Sequence, residues 1–190
     1  MVSEDYAIVL DYLATGKSAS YKSEPIVQLI GTESFTLLEA VPKKSLKILD
    51  KVYIGKDKRD EIDFIKRRVA FKELTSTAAG ELSKVVKQLV LEKKEKYLEF
   101  YNKCGAITIK RHQLELIPGL GKKHMQDILK QRQIKPFESF EDITERVKLM
   151  PDPVQAIVKR IIEELEAGDI KYYLFVRPPA QLKPEFKKRY

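Results

Sequence analysis

The sequence predicts an α+β chain: a small antiparallel β-barrel at the N-terminus, a linking helix, and a C-terminal domain of two related helical hairpins, the second degenerate. Three observations carry that prediction. Residues 1–75 contain about five short apolar or β-branched runs separated by turn residues, the signature of a small all-β unit. From residue 76 onward apolar residues recur at helical spacing instead. The stretch from Leu114 to Leu129 can then be laid over Val147 to Ile162 at a shift of 33 residues.

Residues 6–13 alternate weakly, with Tyr6, Ile8, Leu10 and Tyr12 set against Ala7, Val9, Asp11 and Leu13, and predict a strand. Thr15 to Glu24 is a polar loop. Pro25 to Ile30 and Phe35 to Val41 form a hairpin about the turn Gly31-Thr32-Glu33-Ser34. Pro42 to Asp50 is a basic connector with room for a short helical turn. Val52-Tyr53-Ile54 is a short strand closed by Gly55, and Lys56 to Glu61 is a highly charged loop. Ile62 to Leu74 returns as a long strand. Strict alternation places Phe64, Lys66, Arg68, Ala70 and Lys72 on one side, and Ile65, Val69 and Phe71 on the other, with Arg67 as the exception. Closing five strands into a barrel removes exposed edges, which makes a barrel the economical arrangement. An OB-type barrel is the first choice, partly by analogy. An SH3-like barrel and a flat meander stay open.

Thr77 is the expected N-cap of a helical segment over 78–103, with Leu82, Val85, Val86 and Leu89 on one stripe and a bend near Glu92 to Lys96. Leu98, Phe100 and Tyr101 supply a second apolar patch. The first hairpin's leading helix is expected to begin after Thr108. Ser139 followed by Asp142 suggests a capping box for a helix over 140–147. Gly168 ends the last helix, Ile170 to Val176 reads as a strand packed on the barrel or another element, and Leu182 to Tyr190 is a basic tail. The expected divisions are 1–75, 76–104, 105–168 and 169–190.

The hairpin that organises the C-terminal half is Leu114 to Lys123, with a Pro118-Gly119-Leu120-Gly121 turn and two lysines opening the next helix. Glycine accepts positive φ and close backbone approach. A helix start carries unpaired N–H groups and partial positive charge, which suits a phosphate. This stretch resembles the helix-hairpin-helix motif of DNA competence, repair and transcription-elongation proteins, and the resemblance extends to residues 136–143. It implies backbone contacts from Gly119, Leu120 and Gly121, charge from Lys122 or Lys123, and phosphate binding without base readout. It also implies a compact five-helix unit built from two such hairpins. In the second, Pro151-Asp152-Pro153-Val154 replaces both glycines. Asp152 would repel phosphate, so that hairpin is expected to serve packing alone.

The chain has 190 residues, a net charge of +8 and a single cysteine, Cys104. No apolar run reaches the length of a membrane span, and the N-terminal residues lack a secretory leader pattern. One cysteine fits a reducing cytoplasm. The positive charge points to a polyanionic partner. It is uneven: residues 1–40 carry −4 and residues 41–78 carry +5. A second contact region is therefore expected on the barrel. Its candidates are Lys56, Lys58 and Arg59 of the charged loop, with Tyr53, Phe64, Lys66 and Arg68, because lysines track a single-stranded backbone while rings stack on bases. A solvated strand face accounts for the same residues without a ligand.

No catalytic residue, cofactor or metal site is expected. There is no P-loop or dinucleotide fingerprint. His112 reads as an exposed helix residue and His124 as a surface neighbour of the lysines. Asp57, Asp60, Glu61 and Asp63 could hold a divalent ion only against four competing basic residues. The barrel-plus-hairpins layout resembles, over most of the chain, an uncharacterised archaeal family described as predicted OB-fold RNA-binding proteins. That resemblance implies RNA rather than DNA as the partner, whereas the residues alone indicate a polyanion binder. The alternatives are a scaffold or assembly protein whose hairpins contact protein and, third, a metal-dependent nuclease.

Overall fold

The computed structural model describes residues 4–16, 24–167 and 170–178. Gly168, the greater part of the Thr15–Glu24 loop and the basic tail lie outside the described residues. The chain divides into two compact units: a strand unit of Met1–Thr75 with Glu164–Tyr190, and a helical unit of Ser76–Glu163.

The strand unit is one curled, five-stranded antiparallel sheet, a half-barrel. Its strands are β1 (Tyr6–Leu13), β2 (Ile26–Gly31), β3 (Leu37–Pro42), β4 (Lys51–Tyr53) and β5 (Ile62–Arg68), in the order β4-β1-β2-β3-β5. A meander is excluded, because β4 returns to β1 and β5 to β3. The sheet is open, with β4 and β5 as its edges. Both carry the features that blunt an edge: β4 has three residues, and β5 is basic and bulged. Residues 43–50 contain bends and turns but no helical turn.

Every residue of β2 and β3 is buried, so both sheet faces are covered. One face carries the apolar core, including Val9, Val27, Leu29, Ala40, Val52 and Ile62. The other carries a polar row in register across four strands: Asp11 lies opposite Gln28, Gln28 opposite Glu39, and Glu39 opposite Arg67. Gln28 Nε2 donates to Glu39 at 3.1 Å, and Arg67 pairs with Glu39 at 3.1 Å. Thr75 completes the row, its N–H donating to Gln28 at 2.9 Å and its hydroxyl to Asp11 at 2.6 Å. This explains why Arg67 broke the expected alternation: it is the ion-pair partner of a carboxylate that is 2% exposed.

The helical unit begins with α1 (Ser76–Glu92), one residue before the expected cap, and α2 (Lys94–Lys103), with the break at Lys93. The predicted stripe Leu82, Val85, Val86 and Leu89 is buried. In the second patch Tyr101 is buried as expected, and Tyr97 is buried with it in place of Leu98 and Phe100. Where a leading helix was expected after Thr108, the chain instead forms a two-stranded ribbon, β6 (Ala106–Thr108) and β7 (Arg111–His112), and a short 3-10 turn, Gln113–Leu116. The β-branched pair Ile107-Thr108 favours the strand, and the 3-10 turn is capped by His112. Three helices follow: α3 (Lys122–Ile134), α4 (Phe140–Arg146) and α5 (Pro153–Glu166). Ser139 caps α4 as expected, its Oγ accepting from the Asp142 N–H at 3.1 Å. Arg146 closes the end of α3 by donating to the Gln131 and Lys135 carbonyls at 2.6 and 2.8 Å.

Residues 170–176 do not form a strand. Their ladder donors are taken: the N–H groups of Leu174, Phe175 and Val176 all donate to the buried Glu164 carboxylate, at 2.7 to 3.0 Å. The segment does pack in the strand unit, where Arg177 N–H donates to the Ser34 carbonyl at 3.1 Å.

Candidate functional site

The first hairpin turn runs from the 3-10 turn through Pro118 and Gly119 to Gly121, the N-cap of α3. Its two glycines are there for different reasons. Gly119 has φ +83, and a Cβ there would lie 3.4 Å from the Pro151 ring. The turn needs a glycine at that position. Gly121 has φ −80 and ψ 173, extended backbone open to any residue, and a Cβ there would meet nothing within 4 Å. Its missing side chain leaves open space directly at the helix start.

The donors at this start differ from the expected set. Leu120 N–H donates to the Ile117 carbonyl at 3.1 Å, and Leu120 itself is buried. Gly121 N–H reaches His124 Nδ1 at 3.4 Å, a long bond. The Lys122 and Lys123 N–H groups belong to the first turn of α3, which leaves them without an intrahelical acceptor, and both lysine side chains are exposed. Of the expected backbone donors, the Leu120 N–H is engaged and the Gly121 N–H is held weakly, and the first-turn N–H groups of α3 stand beside them. His124, read as a surface neighbour of the lysines, partly caps the Gly121 N–H.

The second turn is built as a counterpart with its donors filled. Asp152 Oδ1 accepts from the N–H groups of Val154 and Gln155 at 2.8 and 3.0 Å. The carboxylate occupies the place a bound anion would take.

In the strand unit, Tyr53, Lys56, Lys58 and Arg59 come together around the loop between β4 and β5. Tyr53 Oη donates to Asp57 at 3.1 Å and accepts from the Asp57 N–H at 3.3 Å, folding the loop back on its strand. Gly55 permits this, since a Cβ there would collide with the Tyr53 hydroxyl. Arg59 Nε donates to the Gly55 carbonyl at 2.8 Å. Lys56 and Lys58 stay exposed. Two residues that sequence reasoning missed complete the group. Tyr6 lies opposite Tyr53 in the β1–β4 ladder, with ring centroids 5.4 Å apart, and is 46% exposed. Lys51 Nζ sits 5.1 Å above the Tyr6 ring. Only the non-local pairing of β4 with β1 brings these residues together, so no local pattern could have flagged them.

Phe64, Lys66 and Arg68 do not form the expected stripe. The register steps from Arg67 to Ile65 against Glu39 and Ala40, so Lys66 is the extra residue of a bulge and the alternation flips across it. Phe64, opposite Val41, falls on one face, and Arg68, opposite Leu38, on the other. Lys66 pairs with Glu24 at 3.3 Å, and Arg68 donates to Thr36 Oγ1 at 3.0 Å.

The carboxylates proposed for a divalent ion do not converge. Glu61 pairs with Lys44 at 3.0 Å while Asp57 is held by Tyr53, and no group of three or more His, Cys, Asp or Glu is placed to hold a metal among the described residues. His112 is a half-buried cap rather than an exposed helix residue: its Nδ1 accepts from the Leu114 N–H at 3.1 Å. Burial, followed by the Arg132 charge, holds its imidazole below the usual histidine range, partly offset by Glu115. Among the described residues no helix is long and apolar enough to cross a membrane.

A family model described as a protein of unknown function, DUF655, matches residues 3–177. An uncharacterised protein of Methanocaldococcus jannaschii is 44% identical over 177 residues, which cover 92% of this chain and 80% of that one. The crystal structure of a protein from Archaeoglobus fulgidus, assigned to the same family model, matches with a TM-score of 0.84 at 43% identity. The match covers 92% of this chain and 100% of that one.

Proposed function

The chain belongs to the DUF655 family, and we propose that it is a non-catalytic nucleic-acid-binding protein that grips backbone phosphate with little dependence on base sequence. The observation that carries this reading is the contrast between the two helix starts of the helical unit. At α5 the Asp152 carboxylate supplies the anion. At α3 a glycine in open space stands at the cap, followed by two exposed lysines. A helix start without an acidic cap and with added cations suits a phosphate oxygen.

A second grip is proposed at the patch of Tyr6, Lys51, Tyr53, Lys56, Lys58 and Arg59, where rings and cations alternate as a single strand requires. The strand order is compatible with an OB barrel opened along a β4–β5 seam, and in that fold the β4–β5 loop borders the ligand. The repeated turn-and-helix pairs of the helical unit support the helix-hairpin-helix likeness in the same way. The preference for RNA over DNA follows the family-level resemblance, and a cytoplasmic setting follows the lone, buried thiol of Cys104.

The test is fluorescence anisotropy of a labelled single-stranded RNA at low salt against the wild-type chain and Gly121→Asp, both checked for fold by circular dichroism. Unchanged affinity in the folded variant overturns the hairpin grip.

A second reading, a scaffold whose helical unit docks on protein, is favoured by Leu149. This residue is 89% exposed at φ +59 in the second hairpin turn. A stoichiometric partner on purification, with no retardation of RNA or DNA at low salt, selects that reading.

A further inference from the structure

The strand unit also contains a half-open cleft of about 300 Å³, formed by the start of β3, the chain that leaves β5, and the segment around Glu164 to Arg177. Phe35, Phe71, Tyr173 and Val176 contribute its apolar walls, and Arg68 and Arg177 its cations. The two arginines come from opposite ends of the unit, each placed by its backbone. Arg68 is the last residue of β5, and the Arg177 N–H is fixed to the Ser34 carbonyl. Two carboxylates border the same cleft, and both have oxygens already engaged. Glu73 accepts from Arg67 and from the Ala70 N–H at 2.8 Å. Glu164 accepts from three successive N–H groups. Arg68 makes no ion pair with a carboxylate among the described residues and donates instead to the neutral Thr36 hydroxyl.

We propose that this cleft binds a nucleoside monophosphate group, with Arg68 and Arg177 on the phosphate and the base lodged beside the Phe71 and Tyr173 rings. A guanidinium matches phosphate geometry, and a flat ring packs on aromatic walls at low entropic cost. The volume lies at the small end of ligand pockets, roughly 300–1,000 Å³. Burial, then the neighbouring Arg177 charge, holds the Arg68 guanidinium below its ordinary value, with Glu4 offsetting part of this. A dianionic phosphate would relieve that repulsion. The group could arrive as a free mononucleotide or as the phosphorylated end of a strand, and neither source requires the hairpin grip.

The experiment is calorimetric titration of the full chain with each of the four ribonucleoside 5′-monophosphates, and separately with a 5′-phosphorylated and a 5′-hydroxyl tetranucleotide. Adenosine and ribose 5-phosphate serve as the half-ligands. The expected result is a monophosphate that binds more tightly than either half-ligand and is weakened roughly tenfold or more in both Arg68→Gln and Arg177→Gln. Discrimination for the 5′-phosphorylated tetranucleotide assigns the site to strand ends, and binding of the mononucleotides alone assigns it to free nucleotide. If Arg68→Gln loses its fold by circular dichroism, Arg177→Gln decides. No heat of binding up to about 10 mM with any monophosphate or tetranucleotide overturns the proposal. Binding unchanged in a folded Arg177→Gln also overturns it. Gly121→Asp should leave the mononucleotide titrations and the difference between the two tetranucleotides unaltered, which separates this cleft from the hairpin.

Discussion

Replacing Gly121 by Asp turns the first helix start into a copy of the second. The backbone already has the extended geometry of an N-cap, and a Cβ meets nothing within 4 Å, so the substitution introduces no strain. An Asp cap differs from a Gly cap by a few tenths of a kcal/mol, and a carboxylate at a helix start adds about 0.3–1 kcal/mol. The thermal midpoint should therefore hold or rise slightly. Binding should move the other way. The new carboxylate takes the N–H groups that a phosphate would use and repels the phosphate as well. Loss of one charge-assisted hydrogen bond is worth about 1.5–3 kcal/mol, or roughly 10- to 150-fold in affinity. Residual binding should persist through the Tyr6–Tyr53 patch. Anisotropy with labelled RNA at low salt reads the affinity, and a thermal melt reads the stability. An affinity within about twofold of wild type in a stable variant would refute the reasoning. Gly119→Ala is the contrasting case: at φ +83, with Pro151 3.4 Å from the new Cβ, it should cost about 1–2 kcal/mol of stability.

The remaining predictions concern charge and pH. Lys122→Ala with Lys123→Ala should flatten the salt dependence of RNA binding, by about 0.7 in slope for each phosphate of a single strand that the lysines no longer neutralise. Arg67→Ala strands the Glu39 carboxylate and should destabilise the chain by about 2–3 kcal/mol in urea melts, less than a fully buried pair because Arg67 is 44% exposed. His112 titrates below its unfolded value, so the unfolded chain takes up that proton first. Its contribution is therefore complete above about pH 6.5 and declines as pH falls below that. His112→Asn keeps an acceptor for the Leu114 N–H without the titration, so its midpoint should drop less than wild type between about pH 7.5 and 5.5.

The parts of the fold that were legible in the sequence are those set by near neighbours. The five strands, the stripe of α1 and the Ser139 cap all follow from spacing and turn chemistry. Asp152 is read from the sequence only as a charge that repels phosphate, and its capping of the α5 start is the structure's addition. The misses have a common cause in interactions between distant residues. Ile170 to Val176 has the β-branched and aromatic content of a strand, yet its donors are drawn off by Glu164, a helix residue that no local pattern ties to this segment. The parity of β5 fails because Lys66 bulges while Arg67 turns to Glu39, a partner 28 residues away. Tyr6 and Lys51 join Tyr53 only through sheet order. Tertiary demands override local propensity at each of these places.

The first hairpin turn differs from the second in how its backbone donors are met. Among the described residues, successive or nearby N–H groups converge on one of the chain's own carboxylates at three places. Glu4 serves the turn through Glu33, Ser34 and Thr36; Glu164 serves 174–176; and Asp152 serves the start of α5. Each removes unpaired donors with a charge-assisted bond. The start of α3 has only an imidazole nitrogen, 3.4 Å from one of its donors. A neutral acceptor at that length is displaced far more readily than a carboxylate, because it holds its donor weakly. Nothing in the local backbone prevents an acid at Gly121, as its φ, ψ and surrounding space allow one. The start of α2 also has no side-chain cap, so what marks the start of α3 is the open space at Gly121 beside two exposed lysines, the ground on which an external anion is proposed there.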